Sequence, residues 1–452
     1  MRELIFTIVI ALNIMSCQTS EKIEDIVVIG GGLMGSSAAW ELSKYGENVL
    51  LIEQQDSIYT FGSSFGEARI SRSLGPKNDI FSYLQQTSVS ETQNLINYLN
   101  DGLTEKPHKM EDIYTTSPVT YIYYQSQLNE IEELLDGQTD KYEFAPNKEK
   151  ALEMFDMVIP DTAMVIREFK QYSGTLNPKV LIAKLHNGIR KAGNRIRYNQ
   201  KVTSLTRKNG IYAIEITNTK SGEIETLLSK KVVAAAGPYN GLLVQEIAPY
   251  FSKLITPKRL FLAFLKINRS TYESLKSEQK KKLQEFYPVA NLNSEIFYSM
   301  IEKYDEDGIP LLKVGGHFLR TDIDDLNAVW AKELTSKEIQ WSKENTAAYF
   351  ALLNLPIGIT DLEFSSGYSC VYSLTTSEVP YVTNVIKNDS EVESNFVLVG
   401  GMSGIGAKGS LAYGLIAADI LLNKDQSPGI YLKTKTALGS ERLIKDLQDF
   451  KE

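Results

Sequence analysis

Few residues of this chain can form disulfides or bind metals. Its 452 residues include two cysteines, Cys17 and Cys370, and three histidines, His108, His186 and His317. Two cysteines cannot build a disulfide framework or a cysteine-rich metal site. The histidines are scattered without the spacing of metal ligands, so we predict no zinc or iron centre.

The chain also lacks an excess of positive charge and any long internal apolar run. Its formal net charge is −8, whereas nucleic-acid binding requires a basic surface. No internal stretch approaches the roughly 20 apolar residues of a membrane-spanning helix. With 43% hydrophobic and 23% charged residues, the chain can bury a large core. We therefore predict one domain, or two interleaved domains, with no nucleic-acid partner.

The N-terminal residues have a composition of their own. Arg2 precedes an apolar run from Leu4 to Met15, which is too short to span a membrane but has the layout of a secretory signal. Ser16 before Cys17 is similar to a bacterial lipoprotein signal, in which the cysteine is lipidated. We expect residues 1–24 to be a leader and tether that anchors the protein to an envelope membrane. The alternative is an uncleaved apolar leader on a cytoplasmic protein.

The residues from Asp25 to Glu53 predict a nucleotide-binding β–α–β unit. Ile26-Val27-Val28-Ile29 is typical of a strand buried on both faces, and the following G-x-G-x-x-G pattern opens a helix. A second apolar strand, Val49-Leu50-Leu51-Ile52, then leads to Glu53. All of these parts fall within the ~30 residues that such a unit requires.

Each part of this unit has a role in holding a dinucleotide. Gly30 allows the tight turn, Gly32 lets the backbone approach a pyrophosphate, and Gly35 permits close helix–strand packing. The helix directs its N-terminal N–H groups toward phosphate. An acid at the end of the second strand can accept hydrogen bonds from ribose hydroxyls and disfavours NADP, but the unit leaves FAD and NAD open. The predicted contacts are Gly30, Gly32, Leu33, Met34, Gly35 and Glu53.

Two later segments have the pattern of further pieces of the same domain. Lys231 to Ala236 reads as a strand that enters a turn at Gly237, and strand patterns that include Val202 precede it. Phe396 to Val399 reads as a strand that enters a glycine-rich turn and then a helix. Backbone amides in such turns can meet a cofactor, although the glycines could also serve tight packing. The predicted contacts here are Val202, Gly237, Gly404 and Gly406.

Four further segments carry side chains suited to a reactive site. In chain order they are Gly66-Glu67-Ala68-Arg69-Ile70-Ser71-Arg72, then Tyr298 with Lys313-Val314-Gly315-Gly316-His317, then Cys370-Val371-Tyr372-Ser373, and finally Gly404-Ile405-Gly406-Ala407-Lys408. Together with the nucleotide unit, this order resembles the FAD-dependent amine oxidases of the D-amino-acid oxidase superfamily. More narrowly, it resembles the monomeric sarcosine oxidase and N-methyltryptophan oxidase group. The resemblance runs from about residue 25 to about residue 422.

The resemblance implies a role for each of these side chains. Arg69 matches the arginine that lies over the flavin and binds the substrate carboxylate, and Lys408 matches the second carboxylate contact. Arg72 matches an arginine near the reactive part of the flavin. Cys370 matches the cysteine that carries FAD covalently through the flavin 8α-methyl group.

Lys313 matches a lysine behind the flavin ring that promotes reaction with oxygen, and Tyr298 and His317 match residues of the substrate cavity. Residues i and i+4 of a strand face the same side, so Lys313 and His317 can line one cavity. The chain departs from the family pattern at several points. Ala68 replaces a threonine, Phe65 and Ile405 replace histidines, and the stretch between Tyr298 and Lys313 is longer than usual.

The implied fold class is α/β, with a Rossmann-type FAD-binding domain interleaved with an α+β substrate domain on a mostly antiparallel sheet. We assign residues 25–100, 171–245 and 365–440 to the FAD-binding domain. Residues 101–170 and 246–364 then form the substrate domain, and we expect a monomer.

The implied function is oxidation of the C–N bond of a secondary amine or N-methyl amino acid to an imine, with oxygen reduced to hydrogen peroxide. The expected substrate is a small carboxylated amine, held by Arg69 and Lys408, and the expected cofactor is FAD. One alternative is an envelope amino-acid or imino-acid dehydrogenase that passes electrons to another acceptor. Another is a non-catalytic FAD-binding lipoprotein, which would not need the set Arg69, Lys313, His317 and Lys408.

Overall fold

The computed structural model describes residues 22–75, 78–387, 391–426 and 429–449. The predicted leader and the predicted lipid attachment at Cys17 lie outside these residues. Within them, no helix has the length and apolar character needed to cross a membrane. The first strand begins at Ile23 and already includes Glu24, so the last two residues of the predicted tether belong to the folded body.

The strands, in chain order, are β1 Ile23–Ile29, β2 Val49–Ile52, β3 Arg69–Arg72, β4 Tyr114–Thr116, β5 Val119–Tyr124, β6 Tyr142–Ala145, β7 Ala163–Glu168, β8 Ser173–Leu176, β9 Arg195–Arg197, β10 Gln200–Lys208, β11 Ile211–Asn218, β12 Ile224–Ala234, β13 Thr256–Ile267, β14 Val289–Asn291, β15 Phe297–Tyr304, β16 Pro310–Gly315, β17 Thr321–Asp322, β18 Leu362–Leu374, β19 Tyr381–Lys387 and β20 Glu391–Gly400. The helices are α1 Leu33–Lys44, α2 Asn78–Asn100, α3 Leu128–Leu135, α4 Lys148–Phe155, α5 Pro178–Lys191, α6 Asn240–Leu243, α7 Phe251–Leu254, α8 Arg269–Ser274, α9 Ser277–Gln284, α10 Ser336–Leu352, α11 Ser410–Leu422, α12 Ile430–Leu438 and α13 Ser440–Asp449.

The nucleotide-binding sheet has a parallel centre, as the apolar runs predict. Its order is β10-β11-β12-β1-β2-β9, and β20 pairs with both β12 and β19. The pairs β12–β1, β1–β2, β2–β9 and β12–β20 are parallel. Alternate residues of β1 pack on opposite faces, with Ile26 and Val28 in a core that includes α1 and α11, and Val27 and Ile29 in a second core. Burial on both faces explains the continuous β-branched run.

The second sheet is mostly antiparallel, which confirms the predicted α/β class with an α+β second half. Its order is β17-β13-β16-β15-β14-β5-β7-β6, and β18 pairs with β13; β14 and β5 form its parallel pair. Alternation along these strands separates two faces. Phe261, Leu312 and Val314 pack in a core with Trp341 of α10, whereas Leu262 packs with Cys370 on the other side.

Two details differ from the sequence-based expectations. β18 pairs with β13 along its whole length, from Leu374 opposite Thr256 to Leu362 opposite Ile267. The assigned boundary at residue 365 therefore falls inside a strand of the antiparallel sheet. In addition, β16 ends at Gly315, so His317 lies in the turn after the strand and the i, i+4 argument does not apply to it.

Candidate active site

A cavity of about 690 Å³ is bounded by residues of both sheets. It brings together residues that are far apart in the sequence, and with one exception it contains every residue predicted to bind cofactor or substrate. The predicted residues that line it are Gly30, Gly32, Leu33, Met34, Glu53, Arg69, Arg72, Val202, Gly237, Tyr298, Lys313, His317, Cys370, Gly404, Gly406 and Lys408. The exception is Gly35, which packs behind the turn.

The glycine turn at one end of the cavity leaves no room for a side chain at Gly30 or at Gly35. Gly30 has a φ of +101°, and a Cβ there would lie 2.4 Å from the Ala235 carbonyl oxygen. A Cβ on Gly35 would lie 1.8 Å from the Gly30 carbonyl oxygen, which is the close helix–strand packing predicted for it. Gly32 precedes the first turn of α1 and lines the cavity. The Leu33 N–H at this helix start donates to the Ser64 hydroxyl at 3.1 Å, so a phosphate group would approach the remaining N–H groups of the first turn.

Glu53 closes the same end of the cavity from the strand next to β1. Its Oε2 accepts a hydrogen bond of 2.6 Å from the Gly31 N–H, and its Oε1 accepts one of 2.8 Å from the Gln55 N–H. Burial raises the pKa of this carboxyl group, and the backbone donors oppose the rise. Each carboxylate oxygen has a second lone pair, so Glu53 can still accept hydroxyl hydrogens from a ribose.

Replacing Gly32 by alanine is expected to remove the cofactor without unfolding the chain. Gly32 has an ordinary φ of −66°, and a Cβ there would meet only the Ser64 hydroxyl, at 3.1 Å. The added methyl group would instead occupy space at the pyrophosphate approach. The measurement is the ratio of flavin to protein absorbance after purification, together with the melting temperature. Gly358→Ala is the matched control, since its nearest contact is 3.5 Å away; equal flavin content in both variants would contradict the prediction.

The far end of the cavity contains two pairs of cations. A Cβ on Gly66 would lie 2.9 Å from Lys313 Nζ and 3.1 Å from Arg69 Nη1, which places these two groups side by side. A Cβ on Gly75 would lie 3.2 Å from Lys408 Nζ and 4.0 Å from Arg72 Nη1, which does the same for the second pair.

These pairs differ from the carboxylate clamp predicted from the sequence, in which Arg69 and Lys408 act together. Arg69 donates to three backbone carbonyl oxygens of its own turn, those of Ser63, Phe65 and Ala68. Most of its donors are therefore occupied, and its cationic neighbour is Lys313. The cation beside Lys408 is Arg72, not Arg69. The reason is geometric, because residues three apart on a strand point to opposite faces, and both arginines lie on β3.

Arg72 and Lys408 have few partners of their own. Arg72 Nη1 donates to the Leu74 carbonyl oxygen at 3.0 Å, and its guanidinium lies over the Tyr121 ring. Lys408 is 5% exposed, faces the Phe81 ring at 5.0 Å, and its Nζ has no hydrogen-bond partner among the described residues. Burial, followed by the charge of Arg72, lowers the pKa of Lys408 well below its usual value, and Glu168 opposes this.

Glu168 lies fully buried behind this pair. Its Oε1 accepts hydrogen bonds from the Ser73 N–H and hydroxyl, both at 2.7 Å, and its Oε2 accepts one of 2.6 Å from the Tyr121 hydroxyl. These donors satisfy its oxygens, so Glu168 does not fold back onto Lys408 as a hydrogen-bonded partner. Lys408 Nζ therefore remains available to an anion from the cavity, and such an anion would favour its protonated form.

Lys313 is held by an acid that the sequence analysis did not identify. Its Nζ contacts Glu302 Oε2 at 2.9 Å and donates to the Ala68 carbonyl oxygen at 3.0 Å. The lysine side chain is 1% exposed and the glutamate side chain 6%. Burial, followed by the charge of Arg69, lowers the pKa of Lys313 to about 7, and Glu302 opposes the fall.

His317 and two tyrosines form another part of the cavity wall. The hydroxyls of Tyr298 and Tyr372 are 3.4 Å apart, and His317 lies edge-on to the Tyr372 ring with 6.4 Å between ring centroids. Burial, followed by the charge of Arg320, lowers the pKa of His317 to about 4. The imidazole is therefore neutral near pH 7 and is a weak base. Tyr372 was absent from the predicted set, although it lies in the segment quoted with Cys370.

Cys370 is a free, buried cysteine whose side chain lines the cavity. It packs with Leu260 and Leu262 on the cavity face of the antiparallel sheet. Burial raises the pKa of its thiol, and the nearby charge of Arg69 opposes the rise. Among the described residues, no group of three or more His, Cys, Asp or Glu side chains is arranged to hold a metal ion.

The fold and the site are those of a protein suited to bind a nucleotide cofactor, and comparison with known proteins identifies its family. Residues 25–420 match the DAO family, described as FAD dependent oxidoreductase, and the chain belongs to this family. It is 24% identical over 410 residues to a probable sarcosine oxidase from Arabidopsis thaliana, which covers 90% of this chain and 89% of the relative. It is 23% identical over 396 residues to N-methyl-L-tryptophan oxidase from Yersinia pestis (strain Pestoides F), which covers 87% of this chain and 94% of the relative.

A solved structure shows the same fold. The open form of NikD, described as an unusual amino acid oxidase essential for nikkomycin biosynthesis, superposes with a TM-score of 0.67 at 15% identity, over 92% of this chain and 97% of that chain. The resemblance predicted from sequence is thus confirmed. The chain is an FAD-dependent oxidoreductase of the amino-acid and amine oxidase type.

The residues of the cavity fit FAD. Gly30 and Gly32, which present backbone without a side chain to the cavity, suit the pyrophosphate, and Glu53 suits the adenosine ribose. The cavity continues from this end to Arg69, Lys313 and Cys370, so the ring end of the cofactor would meet the cationic region. FAD, when bound there, supplies a two-electron acceptor for the substrate.

Proposed function

We propose that this protein oxidises the C–N bond of a small carboxylated secondary amine or N-methyl amino acid to an imine, with oxygen reduced to hydrogen peroxide. Hydrolysis of the imine then gives an aldehyde and a shortened amine. The relatives named sarcosine oxidase and N-methyl-L-tryptophan oxidase support this substrate class, because both named substrates carry an N-methyl amine and a carboxylate.

The observation that carries the proposal is the buried Lys408 Nζ, which lies beside Arg72 without a hydrogen-bond partner among the described residues. Burial and the charge of Arg72 disfavour the protonated form of this lysine, and an anion bound beside it would favour that form, so the site is suited to receive an anion. In our proposal the substrate carboxylate lies between Lys408 Nζ and the Arg72 guanidinium. An arginine can hold a carboxylate through two parallel hydrogen bonds, which fixes orientation as well as affinity. The clamp would thereby hold the amine in place for reaction.

The other side chains favour a neutral amine in the cavity. Arg69 and Arg72 supply positive charge to the cavity, which disfavours a protonated substrate amine. His317 adds no charge near neutral pH, because its pKa is lowered to about 4 by burial and by Arg320. We therefore assign His317, with Tyr298 and Tyr372, to the wall of the substrate cavity rather than to proton abstraction.

Lys313 is the residue we assign to the reaction with oxygen. A cation at this position would stabilise negative charge that develops on oxygen, which is an electrostatic role similar to that of an oxyanion hole. Its almost complete burial strengthens such an interaction, because the surroundings screen charge poorly. We also propose that Cys370 carries the cofactor covalently, since its side chain lies in the cavity wall next to this cluster.

A peroxide assay with a panel of amines tests this function. We expect purified protein to release hydrogen peroxide with an N-methyl amino acid among sarcosine, N-methyltryptophan, pipecolate and proline. Parallel anaerobic reactions with a redox dye identify a dehydrogenase, which would reduce the dye but form no peroxide in air. The proposal would be contradicted if no amine of the panel bleached the flavin under anaerobic conditions.

A further inference from the structure

Glu302 makes two contacts that join separate segments of the chain. Its Oε2 lies 2.9 Å from Lys313 Nζ on the neighbouring strand. Its Oε1 accepts a hydrogen bond of 2.6 Å from the Glu67 N–H, in the turn that precedes Arg69. Lys313 reaches the same turn through its contact with the Ala68 carbonyl oxygen. Glu302, Lys313 and the turn before Arg69 therefore each contact the other two at the wall of the cavity.

The strand geometry at Glu302 is irregular. β15 and β16 pair Met300 with Lys313 and Ile301 with Leu312, but the register then shifts so that Lys303 pairs with Leu311. Glu302 is the extra residue at this bulge. Bulges re-aim side chains and are frequent beside active sites, and this one accompanies the contact between Glu302 and Lys313.

We propose that Glu302 is a positioning residue that holds Lys313 Nζ against the turn at residues 66–69 and shifts its protonation equilibrium toward the ammonium form at neutral pH. This inference rests on the FAD site and does not depend on which amine is oxidised or on which acceptor takes the electrons.

The charges around Lys313 explain why such a partner is needed. Arg69 faces it from β3, and Cys370 and Tyr368 face it from β18. Phe264 of β13 presents its ring face at 5.7 Å. Burial and the positive charge of Arg69 both favour loss of the proton, and the pKa of Lys313 falls to about 7 even with Glu302 in place. Removing the carboxylate charge would leave two buried cations side by side, which favours the neutral amine further.

A purely structural role for Glu302 can be separated from this one. In Glu302→Gln the amide oxygen can still accept the Glu67 N–H, so the turn keeps its hydrogen bond, while the negative charge is lost. Glu302→Asp keeps the charge but shortens its reach, so it should restore part of the effect. Glu67→Gln is the matched control, because it removes a nearby carboxylate that pairs with Lys179 and leaves the backbone N–H of residue 67 unchanged.

The test is a pH titration of the visible flavin spectrum of the holoenzyme, without substrate and under anaerobic conditions. We define the Lys313-dependent transition as the pH-dependent change in the flavin spectrum that is lost in Lys313→Met. We expect its midpoint to move to lower pH by about 1 to 3 pH units in Glu302→Gln, by less in Glu302→Asp, and not at all in Glu67→Gln. If Glu302→Gln does not fold, the shift of the midpoint in Glu302→Asp tests the same proposal.

An unchanged midpoint in the folded Glu302 variants would overturn the proposal. The absence of any Lys313-dependent transition in Glu302→Gln would overturn it too. Neither result depends on the amine panel, because the titration uses no substrate and no oxygen. A failed panel with a shifted midpoint would reject the proposed function and leave the role of Glu302 in place.

Discussion

Arg72→Met and Lys408→Met are each expected to reduce kcat/KM for a carboxylated amine by at least about 30-fold, mainly through KM. Breaking one side of a buried charge pair costs about 2–5 kcal/mol, and every 1.4 kcal/mol is about tenfold. Both side chains line the cavity, and Lys408 Nζ has no other hydrogen-bond partner among the described residues. Steady-state kinetics with the best amine of the panel measure the effect.

The control for this prediction is an amine of the same shape without the carboxylate. The parent enzyme should use it poorly, and the two variants should lose little further activity toward it. Lys433→Met provides a matched lysine control, since that side chain is 60% exposed and pairs with an exposed carboxylate, Asp79. An equal loss for both amines would mean that Arg72 and Lys408 do not bind the carboxylate. A larger increase in KM in Arg69→Met than in Arg72→Met would instead support the clamp of Arg69 and Lys408 predicted from the sequence.

Cys370→Ala is expected to convert a covalent flavoprotein into one that releases its flavin on denaturation. The thiol lines the cavity at 4% exposure and has no disulfide partner among the described residues, so we expect it to be the attachment point. The parent chain should keep a yellow, fluorescent band after acid precipitation or on a denaturing gel. The variant should leave all of its flavin in the supernatant.

The two cysteines of the chain make this experiment internally controlled. Cys17→Ser removes the other thiol and should leave the denaturation-resistant flavin unchanged. Alanine removes only a small part of the packing between Leu260 and Leu262, so the melting temperature of the variant reports whether the site still folds. A parent band without flavin after denaturation, from protein that contained flavin beforehand, would reject covalent attachment.

The parts of the fold that the sequence predicts are those specified by local interactions. The β–α–β unit needs only an apolar run, three glycines and an acid within about 30 residues, and the structure places β1, α1, β2 and Glu53 accordingly. The choice of FAD over NAD could not be predicted from this unit. That distinction depends on the later segments and on the family to which the chain belongs.

The arrangement of the cations was harder to predict because it depends on strand parity. Arg69 and Arg72 are two arginines in one short segment, but their separation by three residues on one strand sends them toward different neighbours. That signal was present in the sequence, and recognising β3 as a strand would have revealed it. Glu302 had no comparable signal. Its contact with Lys313 arises at a bulge between two consecutive pairings, Ile301 with Leu312 and Lys303 with Leu311. Such a register shift leaves no periodic pattern in the sequence.

The position of Cys370 on β18 has a consequence for the timing of cofactor uptake. The cavity walls come from β1, β3, β16, β18 and the turn before α11, so they include residues from Gly30 to Lys408. The ring end of the site is complete only when the C-terminal quarter of the chain has packed. We therefore expect the flavin ring to be bound only after synthesis is essentially finished, in whichever compartment the chain completes its folding. A chain exported in unfolded form would have to meet its FAD outside the cytoplasm.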